Sequence, residues 1–386
     1  MSTSATSPRT SARFDRAYAT VWVATLLFFG AFYALIEPLP RYLVQVGLAD
    51  WEIGVVLSAF GVAALVGRPL AGLAADRWGQ RPVLLAGTLA LLVGAVAVPM
   101  TSSAPALFAL RLLQTAGYVA FTTAGTALVI RLTPPEIRGR RLAIFGAAAN
   151  VALTLTPAVT SAALASAPVT AAFYVSGLLA LVAGVLALRL RGGAPSERAQ
   201  AGGHQGTARH LLLPMVATAL VGAGFAAFLQ FSPLLAERRG GLAAGLLFTI
   251  YGLGIIATRV LTGPLLDRWS IQRTLTLAAT LLAGGLGLLA LGGPPAGAAV
   301  AALLVAVGSG LSHPALLAHH AALLPAAPGR ASAAFYIGFD LGIGLGSALF
   351  GVALELGGLT GLYGAAALLT LAALPLAPLL GRIGVR

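Results

Sequence analysis

Apolar runs of about 20 residues, the length that crosses a hydrocarbon core, recur from one end of this 386-residue chain to the other. That repetition restricts the fold more than any other feature. Twelve runs stand out, at 17–45, 51–75, 82–101, 104–132, 142–166, 168–190, 210–236, 240–266, 273–293, 296–324, 331–356 and 358–380. They are apolar on all sides and rich in Leu, Ala and Gly, whereas barrel strands alternate polar and apolar residues over about ten positions. They therefore read as helices. Charged residues make up only 9% of the chain, against roughly 25% in water-soluble domains. The expected fold class is an all-α, multi-pass integral membrane protein with twelve transmembrane helices and the lipid bilayer as its solvent.

A formal net charge of +13 raises the possibility of nucleic acid binding, but the placement of the charges argues against it. The basic residues are all Arg. They gather in the N-terminal segment, after the second span (Arg77, Arg81), after the fourth (Arg138, Arg140, Arg141), between the sixth and seventh, after the eighth (Arg268, Arg273) and at the C-terminal end. The intervening loops are short and nearly uncharged. By the positive-inside rule the Arg-rich loops and both termini face the cytoplasm, which places the protein in a cytoplasmic (inner) membrane. The first sixteen residues carry no small-residue cleavage site, so the first span reads as a retained anchor. With no Cys and no cluster of His and carboxylates, no metal site is expected.

The polar, Gly-rich stretch around 191–209 divides the chain into a six-helix bundle over 17–190 and another over 210–380, with tails at 1–16 and 381–386. The two bundles repeat one another. At an offset of 191, R-x-x-x-G-x-x-x-D-R-W occurs twice, pairing Arg68 with Arg259, Gly72 with Gly263, Asp76 with Asp267 and Arg77 with Arg268. At an offset of 190, GRRLAIFGAAAN (139–150) is echoed by GRASAAFYIGFD (329–340), which sets Asn150 against Asp340. Internal duplication of this kind underlies alternating-access transporters, whose cargo site lies near the bilayer midplane between the repeats.

The loop G72-L-A-A-D76-R77-W-G79-Q-R81 resembles the signature loop of the major facilitator superfamily, and the degraded copy after the eighth span falls where that family carries its second one. The resemblance extends over essentially the whole chain. It implies a conformational latch on the cytoplasmic side, made here by Arg68, Gly72, Asp76, Arg77, Gly79 and Arg81 with Arg259, Gly263, Asp267 and Arg268. Gly72 and Gly263 would allow close helix crossings, and the Asp residues would accept from Arg side chains or helix N-termini. The same loops would also arise simply from the positive-inside rule.

Ionisable groups inside the bilayer cost at least about 2.5–3.5 kcal/mol each, so each asks for a reason. Arg111 heads a polar stripe with Gln114, Thr115, Tyr118 and Thr122 on one face of the fourth span. R111-L-L-Q114-T-A-G117 resembles a superfamily Arg motif associated with proton coupling, although Thr115 stands where a Gly is usual. Asp340 sits mid-span among glycines. Burial favours the protonated form of a carboxyl group and a nearby guanidinium favours the charged one, so pairing with Arg111 would make a switch. Packing opposite Asn150 is the structural alternative. Glu37 and His313 complete the proton-coupling candidates, although Glu37 could equally pair with Arg41, and a lone His on an apolar helix is more often structural. Cargo-site candidates are Gln114, Tyr118, Asn150, Gln230, Phe231, Tyr251, Tyr336 and Asp340.

So sparse a set of polar groups suits a lipophilic or cationic cargo better than a sugar or nucleotide. The functional expectation is a secondary active transporter, not an enzyme: a proton-coupled exporter resembling the drug and proton antiporters. It needs no cofactor beyond the proton gradient, takes a small-molecule substrate and protons as partners, and works as a monomer, as the superfamily usually does. The fifth span keeps only half of the exporter pattern, with Thr156-Pro157 and then Thr160-Ser161 in place of paired glycines. A symporter or a sugar or metabolite exporter of the same fold is therefore the alternative, and a non-transporting membrane receptor a remoter one.

Overall fold

The structure is a computed structural model that describes residues 8–133, 138–190, 209–266, 268–324 and 328–383. The described regular structure is helical throughout: α1 (Pro8–Tyr33), α2 (Pro38–Gln45), α3 (Asp50–Trp78), α4 (Gln80–Val96), α5 (Ala104–Leu132), α6 (Arg138–Leu164), α7 (Val169–Leu188), α8 (Leu212–Arg239), α9 (Ala244–Leu266), α10 (Ile271–Leu291), α11 (Pro295–Leu323), α12 (Pro328–Leu371) and α13 (Ala377–Ile383). In lipid every backbone group must be satisfied internally, and helices do this segment by segment. Eleven stretches are long and apolar enough to cross a membrane. The last of them divides at Gly358, whose φ of +58° only glycine adopts readily, and this gives twelve spans.

Local breaks fall where the residues demand them. Pro38 and Pro40 end the first helix and start α2, so the first span is two helices and not one. Gly79, at φ +85°, turns the chain from α3 into α4. Helix α1 begins at Pro8, inside the segment expected to be a tail, and the linker expected at 191–209 lies outside the described residues except for Arg209.

The six-helix halves meet along two antiparallel seams related by the internal repeat. In the first, α3 lies against the first part of α12, with Gly54 on Gly351 and Gly61 on Gly344. A methyl group built on Gly54 would lie 2.5 Å from the Cα of Gly351, and one on Gly344 would lie 2.6 Å from the Cα of Gly61. No larger residue fits. In the second seam α9 lies against α6, with Gly245 on Ser161 and Gly252 on Thr154. The Gly245 N–H donates to Ser161 Oγ at 3.2 Å, and a methyl on Gly252 would meet the Thr154 Cα at 2.8 Å. Glycines 54 and 61 correspond to 245 and 252 at the 191 offset; 344 and 351 correspond to 154 and 161 at the 190 offset.

Both seams are tight towards the end of the molecule opposite the termini. Ion pairs reinforce the closure there: both Arg238 nitrogens donate to the Asp50 carboxylate, whose backbone N–H in turn donates to Glu355, and Arg41 lies 4.0 Å from Glu237. Towards the terminus-bearing end the halves diverge. Side chains built on Gly72 and Gly146 would meet nothing within 4 Å.

Candidate functional site

Where the seams end, each terminates in one polar contact between the halves. Arg68 on α3 donates through Nε to Asp340 Oδ2 on α12 at 2.5 Å, and Arg259 on α9 donates through Nη1 to Asn150 Oδ1 on α6 at 3.2 Å. Seven residues separate Gly54, Gly61 and Arg68, and likewise Gly245, Gly252 and Arg259. Two helical turns leave such residues near one face, so a single stripe on each helix carries both the close approach and the guanidinium. The arrangement is a crossed pair, and each contact joins one half to the other.

Aromatic rings surround the two contacts. The Arg68 guanidinium lies over the Tyr336 ring, 4.7 Å from its centroid. Tyr118 packs with Phe29, Phe32 and Phe60 from the first half, and its hydroxyl is within electrostatic reach of Arg68 and Asp340. From the second half His313 stands edge-on to Phe335, Tyr336 and Phe339. Tyr118, Asn150, Tyr336 and His313 are half-buried, whereas Asp340 is only 2% exposed. A mid-depth site thus combines two guanidinium groups, one carboxylate, one amide and an aromatic wall.

Several sequence expectations change. Asp340 pairs with Arg68 and not with Arg111. Arg111 is buried within the first half, where Nη1 donates to Gln114 Oε1 at 3.1 Å and the guanidinium lies over Phe32. Gln114 spends its own amide on the Gly94 carbonyl, tying α5 to α4 and leaving it unavailable to cargo. Gln230 similarly donates to Ser347 Oγ at 2.7 Å, and Phe231 is fully buried beside Phe350. These three join helices of one half. Tyr251 is also fully buried, with its hydroxyl beside Ser309. Asn150 does not face Asp340: it answers Arg259 as Asp340 answers Arg68.

Glu37 lies in the closed end, paired with Arg41 at 3.3 Å, which is one of the two arrangements that the sequence offered. Arg68 and Arg259 make their side-chain contacts at the mid-depth site, with Asp340 and Asn150. Gly72 makes no close crossing in this state, in which the tight crossings are at Gly54 and Gly61. Asp76, Arg77 and Arg268 are exposed, while Arg81 is partly covered with a buried Nε that has no partner. Asp267 lies outside the described residues, and of Gly263 only the helical backbone is described.

With this geometry in hand, the comparisons with known proteins converge. The family model described as Major Facilitator Superfamily matches residues 21–347 and again 215–384. A chloramphenicol resistance protein of Streptomyces lividans is 30% identical over 256 residues, which cover 62% of this chain and 64% of that one; the chain thus spans less than two thirds of that relative's length. The nucleoside transporter NupG superposes with a TM-score of 0.81 at 15% identity, over 95% of this chain and 99% of that one. A human organic anion transporter gives 0.68 at 19% identity, over 94% and 99%. The xylose transporter XylE from E. coli, in an inward-open conformation, gives 0.75 at 16% identity, over 94% and 95%. At such identities the structural likenesses speak for the fold.

Proposed function

The chain belongs to the Major Facilitator Superfamily of transporters, and on that premise we propose that it is a proton-coupled exporter of lipophilic small molecules working by alternating access. One observation carries this reading: the crossed contacts Arg68 with Asp340 and Arg259 with Asn150, each joining opposite halves where the seams give way to open space. Groups placed there gain or lose partners as the halves rock. A proton on Asp340 removes the charge that holds Arg68 and so weakens the α3–α12 contact; its departure restores the pair. Proton occupancy and rocking are then coupled through one carboxylate.

Arg77, Arg81, Arg268, Arg273 and Arg382 lie at the terminus-bearing end, which by the positive-inside rule faces the cytoplasm. The state described is then inward-facing, closed outside by the seams and by Arg238 with Asp50. In this reading the loop around Asp76 is a released latch that engages when the inner end closes. The aromatic wall supplies the lipophilic surface for cargo. The export direction draws on the relative named as a chloramphenicol resistance protein.

Proteoliposomes with an imposed pH gradient test the proposal. A lipophilic compound should dissipate the gradient with the wild-type chain and not with Asp340→Asn. Equal dissipation by both removes Asp340 from coupling, and the absence of any response across a broad panel overturns proton-coupled export.

A further inference from the structure

The two crossed contacts occupy equivalent places in the repeat but differ in charge. Arg68 meets a carboxylate. Arg259 meets an amide, and among the described residues no carboxylate pairs with it. With Asp340 ionised, two guanidinium groups face one acid, and the site carries one uncompensated positive charge at membrane depth. Such a charge is costly unless something answers it.

We propose that Arg259 and Asn150 form an anion-binding subsite and that the cargo is a lipophilic molecule bearing a carboxylate or an equivalent acidic head group. The inference rests on reading the mid-depth site as the cargo site. Arg259 has donors to spare, since its Nε is buried without a partner and only Nη1 is engaged. Asn150 uses its Oδ1 to accept from Arg259, which leaves its amide N–H groups free to donate to the same ligand. The hydroxyls of Tyr33, Tyr251 and Tyr336 lie within electrostatic reach of Arg259; that of Tyr33 is engaged with Tyr118, and that of Tyr251 is buried beside Ser309. The spare donors are those of Arg259 and the Asn150 amide. A guanidinium fork matches a carboxylate in two parallel hydrogen bonds, and the ligand's acid would occupy the role that Asp340 fills across the pseudo-symmetry axis. A cationic cargo fares worse, because it would have to displace Arg68 from Asp340 while lying near a second guanidinium.

The test compares 4-phenylbutyrate with its neutral amide, 4-phenylbutyramide, by calorimetry on the purified full-length chain. The wild-type protein should bind the acid at least about 10-fold more tightly than the amide. Arg259→Gln removes the fork, and Asn150→Asp gives Arg259 an internal partner; each should weaken acid binding roughly 10- to 100-fold while shifting amide binding by no more than about twofold. Arg259→Lys, which keeps the charge and loses the fork, should fall between, and it serves where Asn150→Asp fails to fold. Equal binding of acid and amide by the wild type, or acid binding that survives Arg259→Gln in a folded protein, overturns the subsite. Flux in proteoliposomes separates the two readings. Acid-selective binding without proton-driven flux keeps the subsite and overturns the exporter, whereas proton-driven flux of neutral compounds without acid selectivity keeps the exporter and overturns the subsite.

Discussion

The α3–α12 seam and the α9–α6 seam are built to one plan with different parts. In the first, glycine faces glycine, backbone lies on backbone, and the seam ends in an ion pair. In the second, glycine faces Ser161 and Thr154, and the seam ends in a guanidinium on an amide. Close helix approach in lipid needs a small residue on at least one partner, and a second glycine lets the helices approach further. The first seam is therefore the stiffer and electrically closed one. The second has side chains that can rotate and a charge that remains to be answered. On the function and subsite proposed above, this difference would divide proton handling and cargo recognition between the two sides of the site.

Five substitutions probe the asymmetry between the seams. Asp340→Asn gives the first seam the chemistry of the second and leaves Arg68 with a neutral acceptor; breaking a buried ion pair costs up to about 3–5 kcal/mol, to be read as a lowered thermal unfolding midpoint. Adding Asn150→Asp moves the acid to Arg259, and the double variant should recover part of that loss. Gly61→Ala drives a methyl into the Gly344 backbone, which cannot move aside, and overpacking of this kind costs about 1–3 kcal/mol. It should shift the population away from the state described and reduce transport accordingly. Gly252→Ala should have a smaller effect, near the low end of that range at about 1 kcal/mol, because part of what it meets is the Thr154 side chain, which can turn away. Arg238→Gln removes an ion pair whose side chains are 33% and 20% exposed, and should cost less than about 1 kcal/mol, diminishing with added salt.

Much of this arrangement is written in the sequence. The spans follow from uninterrupted apolar length, and the offsets of 191 and 190 mark every residue of both seams. Sequence comparison alone does not show the exchange. The repeat aligns Arg68 with Arg259 and Asn150 with Asp340, but it is silent on which half each side chain packs against, and the pseudo-two-fold crosses them. Arg111 and Asp340 look like natural partners only because both are isolated charges in apolar helices. Local packing decides otherwise, turning Arg111 onto Gln114 and Phe32. Gln114, Gln230 and Phe231 mislead for a related reason: polar and aromatic residues in a span serve helix packing as readily as cargo. The departures on α6 from the exporter pattern become intelligible once the seam is visible, since Gly245 and Gly252 supply the small residues from the opposite helix.

On the alternating-access reading proposed above, two crossed seams hold one end of the molecule shut while the other is open, and the two ends exchange. The chain has no Cys, so labels can be placed at will. Spin labels at Ser102→Cys and Ala296→Cys report the end opposite the termini, and labels at Arg77→Cys and Arg268→Cys report the terminus-bearing end. Pulsed-EPR distances for both pairs, measured with and without Gly61→Leu to wedge the first seam, give the direct test. With the wedge in place the first pair should move apart and the second should draw together. Distances that lengthen together, or a first pair unmoved by the wedge, would contradict the alternating-access reading.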